Sequence, residues 1–349
     1  MIYKNFEIHN VAELIRNDDG SIFWKRVPSD VHGQLEATLA DTVAYGSTGV
    51  ELRFVIKGES ATVRMSTFAN NPLSFSTFHV YRGGIQGGWD DHEVHRHVTG
   101  DIQDFVIKRS SNMERLKEMS VRMGHDFDPE VVRVVFDRGR FKIYDILGDI
   151  EPPRKDQCPQ RTLLTYGSSI THGSNSIDAS HAWASVLAHN LKTDLRNLGM
   201  AGSCLLEPAV ADYIASEGER GRWDIATLEL GINALRWEEE KIVSRTENML
   251  REVAGRNVGK PVFVISPFYN CGDDFNDEKR AGGERWRRLV GEITANLNYP
   301  NVTYINGLDV LGDMSYMSAD EVHPNIYGVQ RIADVLTEKI GNVIKEITL

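Results

Sequence analysis

The chain has 349 residues, of which 41% are hydrophobic and 26% charged, a composition typical of a folded globular protein. Its net charge of −11 and isoelectric point near 5.5 argue against nucleic acid and anionic lipid as partners, because both usually bind a surplus of Lys and Arg. No apolar run is long enough to span a bilayer, and residues 1–20 carry charges where a secretion signal would be apolar. We therefore expect a cytoplasmic protein with no membrane or nucleic-acid partner.

The first half of the chain alternates apolar and polar residues with the period of β-strands. In "GVELRFVIKG" (residues 49–58) the apolar positions alternate with Glu51 and Arg53, and the pattern resumes over residues 61–65. We expect half-buried antiparallel strands in which Glu51 and Arg53 lie on the face opposite the core.

Two further runs rich in β-branched and aromatic residues occur in "VVRVVFDRGRFKIYDI" (residues 131–146). They flank Asp137-Arg138-Gly139, where glycine can adopt the positive φ of a hairpin turn. Only "NMERLKEMSVRM" (residues 112–123) has a helical pattern in this part of the chain. These features predict an all-β sandwich of the jelly-roll kind.

A connecting segment separates this half from the next. Prolines and charges are concentrated in "LGDIEPPRKDQCPQR" (residues 147–161), as in a linker. The length of the chain favours two domains. We therefore predict an N-terminal β-sandwich accessory domain at residues 1–155 and a second domain at residues 156–349.

Beyond residue 155, short apolar runs alternate with amphipathic segments. The strand-like runs are "RTLLTYG", "TDLRNLG", "WDIATLELG", "KPVFVISP" and "NVTYING", and the helical segments that follow them lie near 180–191, 204–217, 238–256, 276–298 and 325–347. Five strand–helix repeats predict an α/β domain with a five-stranded parallel sheet between two helical layers, as in flavodoxin-like folds. Ligands of such sheets bind at the carboxyl ends of the strands.

Two serines follow the first of these strands. Ser169, or its neighbour Ser168, can project a hydroxyl into a cleft at the end of the strand and act there as a nucleophile. The alternative interpretation is a Ser/Thr-rich turn that caps the next helix. The G-x-S-x-G motif of α/β-hydrolases does not occur in the sequence.

Hydrogen-bond donors follow the next two strands. Gly199 and Gly202 in "NLGMAGSC" leave backbone N–H groups open to a ligand, although glycine is equally common in ordinary turns. Asn233 in "LGINALRW" offers a neutral amide donor, for which an Asx-turn is the alternative.

An acid and a histidine precede the last helix. Asp320 lies three residues before His323 in "SADEVHPNIYG", so that the carboxylate can fix the tautomer of the imidazole and leave its other nitrogen as a base. The alternative is that Asp320 caps the helix and His323 is an ordinary surface residue.

The order of these residues resembles that of the SGNH hydrolases, also called the GDSL esterase/lipase superfamily, whose markers are a Ser, a Gly, an Asn and a His. The resemblance covers about residues 160–347. It identifies Ser169 with the serine of Gly-Asp-Ser, Gly202 with the glycine (Gly199 being the alternative register), and Asn233 with the Asn of Gly-x-Asn-Asp. It also identifies the Asp-x-x-His motif with Asp320 and His323.

The resemblance implies a serine esterase without metal or cofactor. Asp320 would hold His323, His323 would take the proton of Ser169, and the N–H groups of Ser169 and Gly202 with the Asn233 amide would form the oxyanion hole. The sequence departs from the two motifs at Ser168 and Ala234, where the family has Asp. We interpret both departures as marks of a subfamily.

An N-terminal β-sandwich before such a domain is similar to the layout of certain carbohydrate O-acetyl esterases and of some acyltransferases of the superfamily. We therefore expect a small-molecule acyl ester as substrate, specifically a short acyl group, acetyl foremost, on a carbohydrate. His172, Trp237 and Tyr269 are candidates to line its site, and core packing is the alternative role for the two aromatic residues.

Two other functions remain open on the sequence alone. The same triad serves an acyltransferase when an alcohol replaces water, and a catalytically silent glycan-binding protein would retain the β-sandwich without the chemistry. The sequence does not decide the acyl chain length, the alcohol or the oligomeric state.

Metal binding is the remaining possibility. The segment "GGWDDHEVHRHV" contains Asp90, Asp91, His92, His95 and His97, but it lacks the H-E-x-x-H spacing and we interpret it as a solvated loop. The three cysteines of the sequence are widely spaced, and we expect free thiols.

Overall fold

The computed structural model describes residues 1–68, 76–89, 92–94 and 96–348, with side chains up to residue 345. The chain forms two compact units. One comprises residues 1–29, 44–160 and 192–194, and the other comprises residues 30–43, 161–191 and the chain from residue 195 onwards. The domain ranges 1–155 and 156–349 stay a prediction. The compact units differ from these ranges at residues 30–43, which belong to the second unit, and at residues 156–160 and 192–194, which belong to the first.

The first 160 residues are built from antiparallel strands. The strands are β1 (Ile2–Tyr3), β2 (Phe6–His9), β3 (Glu13–Arg16), β4 (Ile22–Lys25), β5 (Glu51–Ile56), β6 (Ser60–Thr67), β7 (Thr77–Arg82), β8 (Ile85–Gln86), β9 (Arg96–His97), β10 (Gln103–Lys108), β11 (Val131–Phe136), β12 (Phe141–Leu147) and β13 (Ile150–Glu151). The helices are α1 (Ser29–His32), α2 (Ala40–Val43) and α3 (Met113–Met123). One sheet has the order β1-β2-β5-β11-β7-β8, with β13 beside β5 and β9 beside β7, and the other has the order β10-β6-β12-β4-β3.

The two sheets enclose a common apolar core, which makes this unit an all-β sandwich. Leu52 and Phe54 of β5 pack with Val63 and Met65 of β6 in one buried cluster, as the alternating pattern predicts. The expectation of a half-buried strand is wrong for β5, whose residues are all buried. Its polar face is buried because the Glu51 carboxylate accepts hydrogen bonds from two guanidinium groups, those of Arg53 at 2.8 Å and of Arg133 at 2.7 Å.

The predicted hairpin about Asp137-Arg138-Gly139 is also wrong. Strand β11 pairs with β5 and β7, whereas β12 pairs with β6 and β4 in the other sheet. Asp137 and Arg138 are 2% and 3% exposed, so the segment is a buried corner between sheets and not a surface turn. The residue pattern identifies both strands, but it carries no information on which strands they pair with.

From residue 161 onwards the chain alternates strands and helices. The strands are β14 (Thr162–Gly167), β15 (Asp194–Gly199), β16 (Ile225–Glu229), β17 (Val262–Ile265) and β18 (Val302–Ile305). The helices are α4 (Ser169–His172), α5 (Trp183–Asn190), α6 (Pro208–Glu219), α7 (Glu239–Val253), α8 (Gly272–Phe275), α9 (Asp277–Leu297), α10 (Gly307–Val310) and α11 (Ile326–Thr348). Short 3₁₀ turns lie at Lys155–Gln157, Ala179–His181, Ile232–Ala234 and Met314–Tyr316.

The sheet of the second unit confirms the predicted fold class. In the described part of the chain it is a five-stranded parallel sheet with the order β15-β14-β16-β17-β18, in which the first strand in sequence lies between the second and the third. Leu163 and Leu164 point to opposite faces of β14 and both are fully buried, so both faces of the sheet are covered. The point where the strand order reverses, between β14 and its neighbours, is where such folds bind their ligands.

One predicted helix starts later than expected. The helix placed near residues 204–217 is α6, which begins at Pro208. Leu206 has a φ of +52°, a left-handed conformation that a right-handed helix cannot contain, and Pro208 occupies the first turn, where its missing N–H costs nothing.

None of the helices in the described residues combines the length and the apolar character that crossing a bilayer requires.

Candidate active site

The turn between β14 and α4 holds the candidate nucleophile. Ser168 has an extended backbone conformation, and its Oγ accepts a hydrogen bond from the backbone N–H of Ile170 at 3.1 Å, so that Ser168 is the N-cap of the short helix. Ser169 is the first residue of that helix and is 7% exposed. A Cβ at Gly167 would lie 2.3 Å from the Thr171 hydroxyl oxygen, so that only glycine fits at the end of the strand.

Ser169, His323 and Asp320 form a continuous chain of hydrogen bonds. The Oγ of Ser169 lies 2.7 Å from Nε2 of His323, and Nδ1 of His323 lies 2.8 Å from Oδ2 of Asp320. Because a carboxylate can only accept, Nδ1 carries the proton and Nε2 presents its lone pair to the Ser169 hydroxyl. The structure thus joins residues that are 154 positions apart in the chain.

Asp320 is held mainly by its own loop, with one further hydrogen bond from the Asn175 amide to its Oδ2 at 3.1 Å. Its Oδ1 accepts hydrogen bonds from the backbone N–H groups of His323 at 2.9 Å and Val322 at 3.0 Å, and from the Ser318 hydroxyl at 2.8 Å. Partial burial alone would raise the pKa of Asp320, but these hydrogen bonds outweigh it and hold the pKa well below its ordinary value. The carboxylate therefore stays charged opposite the imidazole throughout the neutral range.

A hydrogen bond connects the two segments, after β15 and after β16, that are predicted to supply hydrogen-bond donors. The Oδ1 of Asn233 accepts a hydrogen bond from the backbone N–H of Cys204 at 3.1 Å, which leaves the Nδ2 group of Asn233 as a donor with no acceptor among the described residues. Gly202, two residues before Cys204, has a φ of +62°. No acceptor for its N–H occurs in the described parts of the chain either. The arrangement provides two unused donors, as an oxyanion hole requires.

The alternative glycine has a packing role. A Cβ at Gly199 would lie 2.3 Å from the backbone N of His172, so the second strand approaches α4 too closely for any side chain there. The N–H of Gly199 donates to the Asn197 side chain at 2.7 Å, which takes it out of the donor set.

The three residues predicted to line a substrate site are placed differently. His172 is 1% exposed and Tyr269 is 6% exposed, with the hydroxyl of Tyr269 donating to Asp274 at 2.6 Å, so neither presents a free surface. Trp237 is half-buried, 6.0 Å from the ring of Trp286, and the Lys241 ammonium lies 4.2 Å from its centroid. Trp237 alone of the three is partly exposed.

Sequence reasoning missed Glu229, the last residue of β16. Its side chain is fully buried, and Oε2 accepts hydrogen bonds from the N–H and the hydroxyl of Ser168, both at 2.7 Å, and from the Thr171 hydroxyl at 3.0 Å. Burial raises the pKa of Glu229 to about 7, against the lowering effect of the hydrogen bonds from Ser168 and Thr171. The available signal was a single carboxylate in a strand that is otherwise uncharged.

A second feature missed from the sequence is the segment of residues 30–43, which belongs to the second unit. Its Glu36 bonds to Arg245 of α7, and the N–H of Glu36 donates to Glu207 at 3.2 Å. A methyl carbon of Leu39 lies 2.9 Å from the position that a Cβ would take at Gly202, and Leu39 is 47% exposed. The segment therefore places an open apolar side chain beside one of the two unused donors.

The structure describes only part of the candidate metal-binding segment, residues 87–98. Asp90, Asp91 and His95 lie outside the described residues, and the remaining described residues contain no group of three side chains placed to hold a metal ion. Cys158, Cys204 and Cys271 are free thiols.

Comparison with known proteins places this geometry in a family. Residues 160–341, just over half of the chain, match the model of the GDSL-like lipase/acylhydrolase family. No curated protein matches the sequence significantly.

Several solved structures share the two-unit architecture. A salicylyl-acyltransferase from a tetracycline biosynthetic pathway is similar with a TM-score of 0.77 and 16% identity, over 97% of this chain and 95% of that chain. A family two carbohydrate esterase from Cellvibrio japonicus gives a TM-score of 0.65 at 13% identity, over 98% and 96%. An acetyl xylan esterase from the rumen bacterium Butyrivibrio proteoclasticus gives a TM-score of 0.61 at 13% identity, over 99% and 96%.

Sequence identities of 13–16% show only that the folds are similar. The match to the family model shows, in addition, that the chain is a member of the family. It covers the strands, turns and loop that carry Ser169, Asn233 and His323, of which Ser169 and His323 are in direct contact. The chain belongs to the GDSL-like lipase/acylhydrolase family and is an ester hydrolase of that family.

Proposed function

We propose that the protein is a serine esterase that removes short acyl groups, acetyl foremost, from a carbohydrate or a related small molecule through an acyl-enzyme. The observation that carries the proposal is the unbroken chain from Ser169 Oγ to His323 at 2.7 Å and from His323 to Asp320 at 2.8 Å. A nucleophile, a base and an orienting acid at hydrogen-bond distance are the parts that acyl transfer to a serine needs.

The first half of the reaction forms the acyl-enzyme. Ser169 Oγ attacks the ester carbonyl carbon while its proton passes to Nε2 of His323, and the carbonyl oxygen becomes an oxyanion. Collapse of this intermediate breaks the ester C–O bond, and the leaving alcohol takes the proton from His323. Asp320 remains charged and stabilises the imidazolium in between.

The second half returns the enzyme to its starting state. Water gives a proton to His323 and attacks the acyl carbon, and the carboxylic acid leaves as Ser169 recovers its proton. In both halves the negative charge develops on the former carbonyl oxygen. The N–H groups of Ser169 and Gly202 and the Asn233 amide are proposed to stabilise it there, at about 3 kcal/mol for each donor.

Support for a carbohydrate substrate comes from the similar proteins. The two esterases are named for action on carbohydrates, and one of them for acetyl xylan. On this chain, the partly exposed Trp237 lies four residues after Asn233, and aromatic rings stack on the apolar faces of sugars. The expected cytoplasmic location stays a prediction.

The proposal is tested by hydrolysis of 4-nitrophenyl acetate and of acetylated xylo-oligosaccharides by the wild type and by Ser169→Ala. We expect hydrolysis of both substrates by the wild type and its loss in the variant. Equal rates in the two proteins would overturn the proposal. Hydrolysis of the nitrophenyl ester without that of any acetylated sugar would retain the serine mechanism and remove the carbohydrate assignment.

Acyl transfer is a second candidate, because the similar structure with a TM-score of 0.77 over 97% of the chain is an acyltransferase. Transfer would use the same acyl-enzyme, with an acceptor alcohol in place of water. Acceptor alcohols added during turnover distinguish the two: transfer predicts acylated alcohol in excess over free acid, and hydrolysis predicts free acid alone.

A further inference from the structure

A buried carboxylate lies directly beneath the nucleophile turn. Oε2 of Glu229 takes three hydrogen bonds, two from Ser168 and one from Thr171, at 2.7, 2.7 and 3.0 Å. These donors flank Ser169 on both sides in sequence. Glu229 itself is fully buried and is therefore out of reach of a substrate.

Burying the Glu229 carboxylate reduces the free energy of folding gained by the chain. Oε1 of Glu229 is buried with no hydrogen-bond partner, and no ion pair to Glu229 occurs among the described residues. A fully buried carboxyl group without an ion pair is costly, because its charged form loses the hydration that it has in the unfolded chain. Since the charge brings no ion pair, its contacts with the turn are the interactions that offset this cost.

Strand pairing explains how the carboxylate reaches the turn. Strands β14 and β16 are parallel neighbours with Tyr166 opposite Leu228, so the residue after Leu228 is level with Gly167. A Cβ at Gly167 would lie 2.6 Å from Oε2 of Glu229, which shows that the carboxylate fills the space beside this glycine. The family motif has its own acidic residue one position later, where this chain has Ser168.

We propose that Glu229 is a positioning residue that supplies, from the neighbouring strand, the carboxylate that the family motif carries at position 168, and that it thereby holds Ser169 in line with His323. The inference rests on the proposed esterase function. It assigns Ser168 a role as the link between the two: its hydroxyl accepts from Ile170 while donating to Glu229, which fixes the turn on both sides of the nucleophile.

A positioning role has a kinetic signature. Glu229 makes no contact with the substrate, so its loss leaves the affinity for the substrate intact and misplaces the attacking oxygen. A displacement of about 1 Å at a reacting atom lowers the rate by up to about 100-fold. We therefore expect Glu229→Ala to lower kcat by about 10- to 100-fold with KM within about 2-fold of the wild type.

The decisive test relocates the carboxylate. Ser168→Asp alone puts two buried carboxylates side by side, which cannot both be ionised, and we expect a loss of kcat at least as large as that of Glu229→Ala. The double variant Ser168→Asp/Glu229→Gln has one carboxylate again, now at the motif position. We expect it to recover most of the lost kcat, a rescue that simple loss of packing at either site does not produce.

Matched variants separate this role from general damage to the strand. Thr227→Val replaces another fully buried polar residue of β16, two positions before Glu229, and it should leave kcat unchanged. Glu229→Gln keeps the volume and one acceptor oxygen, so it serves where Glu229→Ala does not fold, and its kcat should lie between those of the wild type and Ser168→Asp. Each protein is first checked by circular dichroism and thermal unfolding.

Two results overturn the inference. One is a folded Glu229→Ala or Glu229→Gln with the kcat of the wild type. The other is a folded double variant no more active than Ser168→Asp. Both differ from failure of the proposed function, in which the wild type itself has no activity that depends on Ser169.

Discussion

The nucleophile side and the acid–base side of the site are built in opposite ways. Ser169 is 7% exposed, and the turn that carries it is fixed by Glu229, which is 61 residues from Ser168. The side chains of Asp320 and His323 are 43% and 24% exposed, and most of the hydrogen bonds that fix them span two to five residues of one loop. The Asn175 amide adds one long-range hydrogen bond, to Oδ2 of Asp320 at 3.1 Å. The nucleophile side is held by the core of the sheet, and the acid–base side is held mostly by local hydrogen bonds.

The two sides of the site should therefore respond differently to substitution. On the buried side, a substitution alters the packing and the burial of charge. We therefore expect the free energy of unfolding and kcat to change together. On the exposed side a change acts on the chemistry with little effect on the fold. Each of the following variants tests one side of this comparison.

Removal of the base should have the largest effect. His323→Ala leaves Ser169 without a proton acceptor, and we expect kcat to fall by about 10⁴-fold or more with a thermal midpoint close to that of the wild type. The matched control is His181→Ala, because His181 lies 2.9 Å from Asp178 in an Asp-x-x-His sequence of the same spacing. Similar losses in both variants would contradict the assignment of His323.

Removal of an oxyanion donor comes next. Asn233→Ala deletes the free amide, and we expect kcat to fall by about 100- to 1,000-fold with little change in KM. Asn233→Ala also removes the acceptor of the Cys204 N–H, so circular dichroism and thermal unfolding should accompany the kinetics. A folded variant with the turnover of the wild type would remove Asn233 from the oxyanion hole.

The buried carboxylate predicts a pH dependence of stability. Glu229 has a pKa of about 7 in the folded chain against an ordinary value of 4.5, so the folded state binds the proton more tightly than the unfolded state. The contribution of Glu229 to stability is therefore most favourable below about pH 4.5 and declines as the pH rises through 7, by about 3 kcal/mol in all. Asp320, whose pKa is lowered, has the opposite slope and acts only in acid.

A comparison of the wild type with Glu229→Gln isolates the contribution of Glu229 to the pH dependence of stability. The variant lacks this titrating group, and all other titrating groups are the same in the two proteins. The thermal midpoint of the wild type relative to the variant should be higher at pH 5 than at pH 8. A difference independent of pH between 5 and 8 would mean that Glu229 titrates with an ordinary pKa.

The smallest effect is expected at the rim of the site. Leu39→Ala removes the apolar side chain beside Gly202, and we expect kcat/KM for butyrate and longer esters to rise about 3- to 10-fold relative to acetate. The exposed Leu147 of the first unit provides the control, Leu147→Ala, which should leave the ratio unchanged. An unchanged ratio in Leu39→Ala would exclude contact between Leu39 and the acyl group.

The contrast between local and long-range contacts also explains which features could be predicted from the sequence. The strands and helices of the second unit follow from their apolar periods, and Asp320 with His323 is visible as a local spacing. The spacing is not sufficient by itself, because Asp178 and His181 share it. The order of Ser169, Asn233 and His323 along the chain distinguishes the two.

The remaining features depend on which strands lie side by side. Glu229 is a single acid in an apolar run, and nothing local indicates that its carboxylate lies beneath Ser168 until β14 and β16 pair. The separation of β11 and β12 into different sheets has the same cause. The presence of residues 30–43 in the second unit depends on long-range contacts of another kind, such as that of Glu36 with Arg245. A local pattern carries no information about either.

The most direct test of the central claim is the site of covalent labelling, because Ser168 and Ser169 are adjacent and only one of them faces His323. The wild type is treated with a fluorophosphonate and digested, and the modified residue is identified by mass spectrometry. We expect one equivalent of label on Ser169, with none in Ser169→Ala and with slow labelling in His323→Ala. Label on Ser168, or none on the turn while the protein still binds acetylated sugars, would contradict it.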